Sequence, residues 1–353
     1  ELRGHRADAM AVVATPDGRQ LVSGDWGGTC RIWDAGAGDV VTLRVPSAAT
    51  MVVRSGRFVY DPAGAAIIGG CSVSQVNVWA LRDPTAPARQ AACGRLASSL
   101  ARTGDGRLLL LGLDSGVLAV MDARSFEIGD TLALHAGPIH GVARHPDGRR
   151  LATAGEDGRL LVRELATDGS LGRATGAADS VGGALRDLEF APDGAQLAGA
   201  GADSCVYLWD WPLTAPPRAL RGHGGAVLDV CFDPTGPRLA STGVDGWVRV
   251  WSLPEGRPAA AREVGPHNCG TIAWSGDGQR IAVAGIDGAV RLLQADSLRE
   301  LVGLRGHIAR VVALAFVADD SLLVSSSRDG TVRVWAAPPA APQGSGSEPA
   351  QRR

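Results

Sequence analysis

Residues 220–252 have the sequence LRGHGGAVLDVCFDPTGPRLASTGVDGWVRVWS, which predicts three β-strands joined by sharp turns. Residues that favour strands fill three runs, at 227–232, 238–242 and 247–251. The first two runs are separated by DPTG (233–236), a turn in which the proline has a fixed φ and Gly236 can take a positive φ. Asp245-Gly246 predicts a tight hairpin before the third run. Three strands alone are marginally stable, so this unit must pack against others.

The first turn of this unit recurs along the whole chain. Its counterparts are TPDG (15–18), DPAG (61–64), TGDG (103–106), HPDG (145–148), APDG (191–194), SGDG (275–278) and VADD (317–320). Successive turns close 42 or 46 residues apart. A period of about 40–45 residues made of strands and turns indicates a propeller-type repeat array. The eight turns therefore predict eight repeats.

Two further positions keep the same register. Nine residues after the turn lie the hairpin aspartates Asp157, Asp203, Asp245, Asp287 and Asp329. Fifteen residues after the turn, five repeats have a tryptophan, namely Trp33, Trp79, Trp209, Trp251 and Trp335. The second and third repeats depart most from the pattern. Longer loops are expected within residues 34–49 and 166–181, and the segment 337–353, rich in Pro, Gly and Ser, is predicted to be a disordered tail.

A Gly-His pair, a turn, a hairpin aspartate and a tryptophan at this spacing resemble the WD-repeat β-propeller family over residues 1–336. The resemblance implies four antiparallel strands per blade around a central channel. It also implies that each repeat supplies the outer strand of one blade and three inner strands of the next. The predicted fold is therefore an all-β propeller of eight four-stranded blades, formed by residues 1–336 as one domain.

The N-terminus is predicted to close this ring. The opening segment ELRGH (1–5) matches ALRGH (219–223) and GLRGH (303–307), which lead from one repeat into the next. We therefore expect residues 1–4 to form the outer strand of the last blade. A seven-blade ring with one additional repeat is the alternative.

The resemblance also implies an internal network of His, Ser or Thr, Asp and Trp in each well-preserved blade. Buried imidazole, hydroxyl, carboxylate and indole groups can satisfy one another, whereas each alone would be costly. The two complete sets are His223, Ser241, Asp245 and Trp251, and His307, Ser325, Asp329 and Trp335. Two further sets are incomplete, because the fourth repeat has Arg163 in place of Trp and the first lacks the hairpin aspartate.

The repetition of these residues argues for structure and against catalysis, since a catalytic triad needs one special site. We therefore expect no catalytic residue, no cofactor and no metal site. The six cysteines form no CxxC pair and the histidines lack zinc-ligand spacing, so free structural thiols in a reducing compartment are expected. The net charge of −2 gives no general electrostatic reason to bind nucleic acid or an anionic membrane. A cytoplasmic location is expected.

The remaining candidates for function lie on one face of the predicted ring. There the hairpins between second and third strands meet the segments that lead into the first strands. Trp and Arg are frequent hot-spot residues in interfaces, although ordinary solvated loops remain the alternative for each position. The candidate partner-binding residues are Trp26, Arg6, His140, Glu156, Trp247, Arg310 and Arg328.

The predicted function is a non-catalytic protein-interaction platform that is monomeric by itself and binds a protein or peptide. WD-repeat propellers of bacteria often lie at the C-terminal end of larger chains that also contain a signalling domain. The first residue here, Glu1 instead of Met, agrees with that arrangement. We therefore expect a sensor or scaffold domain of a larger signalling or regulatory protein. The alternative is an enzyme or small-molecule receptor that uses the central channel. It would need polar groups converging on the inner strands, which are predicted to be mainly apolar or small.

Overall fold

The fold is all-β in the part of the chain that the structure describes. The computed structural model describes residues 9–14, 20–25, 29–34, 40–44, 59–61, 66–72, 75–80, 89–92, 95, 97–103, 107–123, 125–166, 168, 170–178, 180–265, 269–317, 320–329 and 331–336. Within these ranges there are 31 strands and no helix. The strands form eight antiparallel sheets, seven with four strands and one with three.

The first four sheets are each built from strands consecutive in the chain. Sheet 1 contains β1 (Ala9–Ala14), β2 (Gln20–Asp25), β3 (Thr29–Asp34) and β4 (Val40–Arg44). Sheet 2 contains β5 (Val59–Asp61), β6 (Ala66–Ser72), β7 (Gln75–Ala80) and β8 (Arg89–Ala92). Sheet 3 contains β9 (Ala97–Arg102), β10 (Leu108–Leu113), β11 (Val117–Asp122) and β12 (Ile128–Ala133). Sheet 4 contains β13 (Ile139–Arg144), β14 (Arg150–Gly155), β15 (Leu160–Leu165) and β16 (Leu171–Ala178).

The remaining four sheets follow the same order. Sheet 5 contains β17 (Leu185–Phe190), β18 (Gln196–Gly201), β19 (Cys205–Asp210) and β20 (Arg218–Arg221). Sheet 6 contains β21 (Val227–Phe232), β22 (Arg238–Gly243), β23 (Trp247–Ser252) and β24 (Arg257–Glu263). Sheet 7 contains β25 (Cys269–Trp274), β26 (Arg280–Gly285), β27 (Val290–Gln294) and β28 (Glu300–Leu304). Sheet 8 contains β29 (Val311–Val317), β30 (Leu322–Ser327) and β31 (Val332–Ala336).

The sheets pack side by side around a centre formed by their first strands. Each first strand contacts the first strand of the next sheet, and β1 of sheet 1 contacts β29 of sheet 8. The apolar cores lie between adjacent sheets. The core between sheets 8 and 1 contains Leu21 and Trp33 on one side and Val324 and Val334 on the other. The first and last sheets are therefore packed neighbours.

Residues 220–252 form the three strands that their sequence predicts. These strands are β21, β22 and β23, with Leu239 paired to Trp251 and Ser241 to Arg249. The residues just before them end β20, the outer strand of sheet 5. The stretch thus contributes to the outer strand of one sheet and the three inner strands of the next, as the resemblance implied.

The two turns of this stretch differ in how well the sequence predicted them. Gly246, in the Asp-Gly hairpin, has φ 78°, a conformation that glycine takes at little steric cost. Gly236 does not take the positive φ that the sequence suggested, although its counterpart Gly278 does at 70°. The reason is Pro237, because a residue before proline is driven to extended conformations. The Asp233 carboxylate stabilises the DPTG turn by accepting the Thr235 N–H at 2.8 Å.

Candidate functional site

The predicted set in sheet 6 forms a continuous hydrogen-bond chain. The Trp251 indole Nε1 lies 2.9 Å from Ser241 Oγ, which lies 2.8 Å from His223 Nε2. His223 Nδ1 is 3.0 Å from Asp245 Oδ2, and the same oxygen accepts the Gly224 N–H at 2.8 Å. The imidazole side chain is fully buried and the carboxylate is nearly so. The chain ties β23, β22 and the hairpin between them to the segment that leads into β21.

The pKa values favour one protonation state for this chain. Burial lowers the pKa of His223, and the nearby Asp245 carboxylate offsets that effect only in part. Burial would raise the pKa of Asp245, but hydrogen bonds from Gly224 and His223 outweigh it and hold that pKa below its ordinary value. A neutral imidazole with an ionised carboxylate lets Nδ1–H donate to Asp245 while Nε2 accepts the hydroxyl proton of Ser241.

Sheet 8 contains a second complete hydrogen-bond chain of the same four residue types. Trp335 Nε1 lies 2.9 Å from Ser325 Oγ, which lies 2.8 Å from His307 Nε2. His307 Nδ1 is 2.9 Å from Asp329 Oδ2. Thr331 adds to this set, since its hydroxyl donates to Asp329 Oδ1 at 2.6 Å. The same geometry in two sheets is the pattern of a repeated structural element.

Sheet 4 contains three members of the set without the tryptophan. His135 lies 2.8 Å from Asp157 through Nδ1 and 2.9 Å from Thr153 through Nε2. Arg163, at the tryptophan position, donates instead to the Gly172 carbonyl at 2.8 Å. The incomplete sequence pattern therefore still gives a hydrogen-bonded core. In sheet 1 Trp33 donates to Ser23 at 2.8 Å, and the corresponding His5 lies outside the described residues.

Sheet 5 satisfies its hairpin aspartate differently, and the sequence did not indicate this. Tyr207 donates to Asp203 Oδ2 at 2.6 Å, and burial followed by this hydrogen bond raises the pKa of Tyr207 to about 12. Gly199 occupies the position of Ser241 in sheet 6. Trp209 is fully buried, and its Nε1 has no hydrogen-bond acceptor among the described residues. Sheet 5 therefore keeps the tryptophan for packing but not for the hydrogen bond.

The protonation state of the sheet 6 chain predicts how stability depends on pH. Because His223 has a lower pKa folded than unfolded, the unfolded chain takes up its proton first. The contribution of neutral His223 to the free energy of unfolding is therefore complete above about pH 6.5. It is lost as the pH falls from there through the pKa that His223 has in the folded protein. The lowered pKa of Asp245 adds a second loss below about pH 4. Urea unfolding at a series of pH values should show a shallower decline between pH 7 and 5 in His223→Gln than in the parent. An unchanged slope would contradict this assignment.

Carboxylates on the first strands connect neighbouring sheets, a feature the sequence analysis missed. Asp229 Oδ2 accepts the Ile272 N–H of sheet 7 at 3.1 Å. Glu189 Oε2 accepts the Phe232 N–H of sheet 6 at 3.1 Å. The inner edge of a first strand has amides without a partner strand, and these side chains satisfy some of them. The spacing of 43 residues between donor and acceptor, about one repeat, is the signal that could have revealed these contacts.

Arginines at the start of the second strands also join neighbouring sheets. They lie at the turns between first and second strands, on the face opposite the hairpins, and the sequence analysis missed them as well. The Arg238 guanidinium carbon lies 5.0 Å from the centre of the Trp274 ring in sheet 7. Arg280, almost fully buried, lies 5.5 Å from the Phe316 ring in sheet 8. Arg238 also donates to the Gly278 carbonyl at 2.7 Å. Cation–π contacts of this kind stabilise the packing between sheets.

Two predicted face residues contact each other. His140 Nε2 lies 2.6 Å from Glu156 Oε2, which joins the first strand of sheet 4 to the hairpin of the same sheet. Arg186 of sheet 5 donates to the same carboxylate oxygen at 3.2 Å. A partner that uses Glu156 would therefore compete with two residues of the chain itself.

The other predicted face residues lie in sheets 6 and 8. Trp247 is half-buried, and the Arg249 guanidinium carbon is 5.2 Å from the centre of its ring. Arg328 is exposed at the sheet 8 hairpin and its amide donates to the Arg310 carbonyl at 2.9 Å. The two remaining predicted positions, Trp26 and Arg6, lie outside the described residues.

The described residues contain no group of three or more His, Cys, Asp or Glu placed to hold a metal ion. Cys205 and Cys231 are free thiols, and burial raises the pKa of each, which keeps them protonated and weakly nucleophilic. The same part of the chain has no helix long and apolar enough to cross a membrane.

The repeat pattern matches a known family. The model of WD40, described as WD domain, G-beta repeat, matches residues 1–34, 127–163, 175–210, 215–252 and 298–336. Together these segments cover more than half of the chain. The chain belongs to the WD40 repeat family. The interval between the first two matches contains the second and third repeats, which depart most from the pattern in the WD40 chain.

Curated relatives of the WD40 chain are distant and longer. WD repeat-containing protein 1 of Gallus gallus is 26% identical over 226 residues, which are 58% of this chain and 34% of the relative. WD repeat and SOCS box-containing protein 1 of Mus musculus is 28% identical over 136 residues, 38% of this chain and 32% of the relative. The chain thus matches about a third of the length of these relatives.

Solved structures resemble the WD40 chain over nearly its whole length. Sqt1 of Chaetomium thermophilum, bound to the N-terminus of ribosomal protein L10, matches with a TM-score of 0.81 and 19% identity. The computationally designed Ika8 protein matches with a TM-score of 0.79 and 21% identity. Each comparison covers 95% of this chain and 98% of the other. At such identities the likeness shows the β-propeller fold alone.

Proposed function

We propose that this WD40 chain is a non-catalytic platform that binds a protein or peptide through the hairpin face of its ring, as a sensor or scaffold domain of a larger regulatory protein. The hairpin face comprises the hairpins between second and third strands together with the segments that lead into the first strands. The observation that carries the proposal is that the His, Ser and Asp groups suited to chemistry bond one another inside sheets 6 and 8. The surface proposed to bind a partner is therefore the exposed hairpin face and not these internal groups.

The relatives support the same class of function. WD40-repeat propellers are generally protein-interaction scaffolds, and Sqt1, a structural neighbour, was solved with a peptide segment of a ribosomal protein. We propose a monomeric propeller in the cytoplasm, with residues 1–336 as its domain. A ring of eight blades, with residues 1–4 as the outer strand of sheet 8, is part of the proposal. The cyclic contacts of all eight first strands support eight blades over seven.

The alternative of a channel enzyme or receptor draws on polar groups at the centre of the ring. Asp187, Glu189 and Asp229 lie on first strands, where the sequence led us to expect mainly apolar residues. Each accepts a backbone amide of the next sheet, which gives it a role in holding the sheets together. Turnover of a small substrate by the purified chain would favour the alternative.

A capture experiment tests the platform proposal. The purified chain, immobilised, is compared with two double variants. One is Trp26→Ala plus Arg328→Ala, two positions that the sequence predicts on the hairpin face, and the other is Arg149→Ala plus Arg299→Ala, two exposed arginines of the opposite turns. A partner recovered from cell extract by the parent should bind the first variant about tenfold more weakly, since loss of a hot-spot residue costs more than about 1 kcal/mol. Binding by the second variant should equal the parent. Equal recovery by both variants would contradict the choice of face.

A further inference from the structure

The segment of residues 305–310 lies between two hairpins of the proposed face. On one side, a Cβ added to Gly288 of the sheet 7 hairpin would come within 2.6 Å of the His307 carbonyl oxygen. On the other side, the Ile308 amide donates to Asp329 Oδ2 at 3.0 Å in the sheet 8 hairpin. The Arg328 amide donates to the Arg310 carbonyl at 2.9 Å. Two hairpins and one connecting segment therefore form a continuous surface.

Large apolar side chains are exposed on this surface. Ile308 is 90% exposed and Ile286, in the sheet 7 hairpin, is 53% exposed. Val244, at the corresponding hairpin of sheet 6, is 36% exposed. The residue that corresponds to Ile308 is Gly224 in sheet 6 and Ala136 in sheet 4, so the isoleucine is particular to this position. Single exposed apolar residues are ordinary, but several on adjacent segments mark interaction surfaces.

The charged side chains on the same segments are mostly arginines. Arg305 and Arg328 are exposed, and the Arg310 guanidinium extends toward Gly270, where an added Cβ would lie 2.6 Å from its Nη2. These segments contain two acidic residues. The side chain of Asp329 is only 3% exposed, and the exposed Asp287 carboxylate is paired with Arg291 at 2.6 Å. The pKa of Arg310 is lowered by burial and, to a smaller extent, by the positive charge of the nearby Arg328.

We propose that a rim patch formed by Ile286, Ile308, Arg305, Arg310 and Arg328 binds an acidic peptide segment with apolar side chains. The inference rests on the proposed platform function and specifies the chemistry of the partner. Carboxylates of the peptide would pair with the guanidinium groups, a geometry in which arginine can donate two parallel hydrogen bonds. Apolar side chains of the peptide would cover the isoleucines and remove their surface from water.

The test uses a short fluorescein-labelled peptide of alternating glutamate and leucine, with fluorescence polarisation as the readout. Two peptides of the same length serve as comparisons, one with glutamine for glutamate and one with serine for leucine. The parent chain should bind the Glu-Leu peptide at least about tenfold more tightly than either, and the affinity should fall with salt. Equal binding of the glutamine peptide, or no binding of the Glu-Leu peptide, would overturn the proposal.

Variants locate the binding on the molecule. Ile308→Ser plus Arg328→Ala should weaken binding of the Glu-Leu peptide about tenfold, since it removes one apolar and one charged contact. Ile128→Ser plus Arg149→Ala, which changes an exposed isoleucine of β12 and an exposed arginine of the opposite turns, should leave it unchanged. An equal loss in both variants would overturn the assignment to the rim patch. Tighter binding of a labelled single-stranded DNA oligonucleotide than of the peptide would overturn the assignment to an acidic peptide.

The two proposals fail in different ways. If the capture experiment yields a partner that depends on the hairpin face while the Glu-Leu peptide does not bind, the platform stands and the partner chemistry is wrong. If the peptide binds at the rim patch but no partner depends on the face, the chemistry of the patch stands and the platform function is wrong.

Discussion

A chain lacking residues 1–5 should melt about 10 °C below the intact chain, because in the proposed closure these residues supply the outer strand of sheet 8. Sheet 8 has three strands in the described residues, whereas each other sheet has four. The sequence LRGH also occurs at residues 220–223 and 304–307, where its first residues are the last residues of the outer strands β20 and β28. If the proposed closure is correct, deletion exposes the edge of β31 beside the core that sheets 8 and 1 share through Trp33 and Val324. Thermal unfolding followed by circular dichroism measures the shift.

Deletion of residues 337–353 is the matched control for that experiment. It removes more residues from the other terminus, in a segment whose composition predicts disorder. We expect its melting temperature to match that of the intact chain. If the N-terminal deletion is equally without effect, residues 1–5 do not close the ring.

Trp251→Ala should lower the free energy of unfolding by about 3–5 kcal/mol, the usual cost of removing a large buried aromatic side chain. Trp251 is 2% exposed and packs in the core between sheets 5 and 6, beside Leu220 and Leu239. Its removal also leaves Ser241 Oγ without its indole donor. Urea denaturation measures the difference, and a loss below about 1 kcal/mol would contradict the structural role of this tryptophan.

A pair of phenylalanine substitutions separates the hydrogen bond from the packing. Trp251→Phe removes a donor that is bonded, whereas Trp209→Phe removes one that has no acceptor among the described residues. Both lose similar volume from buried positions. We therefore expect Trp251→Phe to cost about 1 kcal/mol more than Trp209→Phe, the net worth of one buried hydrogen bond. Equal costs would show that the bond to Ser241 contributes nothing.

Local sequence patterns were sufficient to predict the inner strands of sheet 6, whereas its network was implied by the resemblance to the WD-repeat family. The runs that became β21, β22 and β23 alternate or concentrate β-favouring residues, and Asp245-Gly246 has few alternatives to a hairpin. The strands and the hairpin depend on backbone preferences within a few residues, which the sequence contains directly. The roles of His223 and Ser241 came from the family resemblance, because their hydrogen bonds join residues 10 to 22 positions apart.

Contacts between sheets were much harder to predict, because each joins residues about one repeat apart and depends on how the sheets are arranged. The stacking of Arg238 on Trp274 has no local signal, since an arginine beginning a strand is usually solvated. Tyr207 had the same difficulty, since nothing marks it as the partner of Asp203 in a repeat without histidine. On the candidate face, His140 and Glu156 were predicted as separate contacts, and only the fold shows that they bond to each other.

Amide hydrogen exchange of the chain, with and without the captured partner, tests the binding platform most directly. We expect new protection at the hairpins of sheets 7 and 8, residues 286–288 and 327–329, and in the segment of residues 305–310 that lies between them. The opposite turns, such as residues 145–149 and 275–279, should exchange as before. Protection confined to those opposite turns, with the hairpins unchanged, would contradict the proposed face.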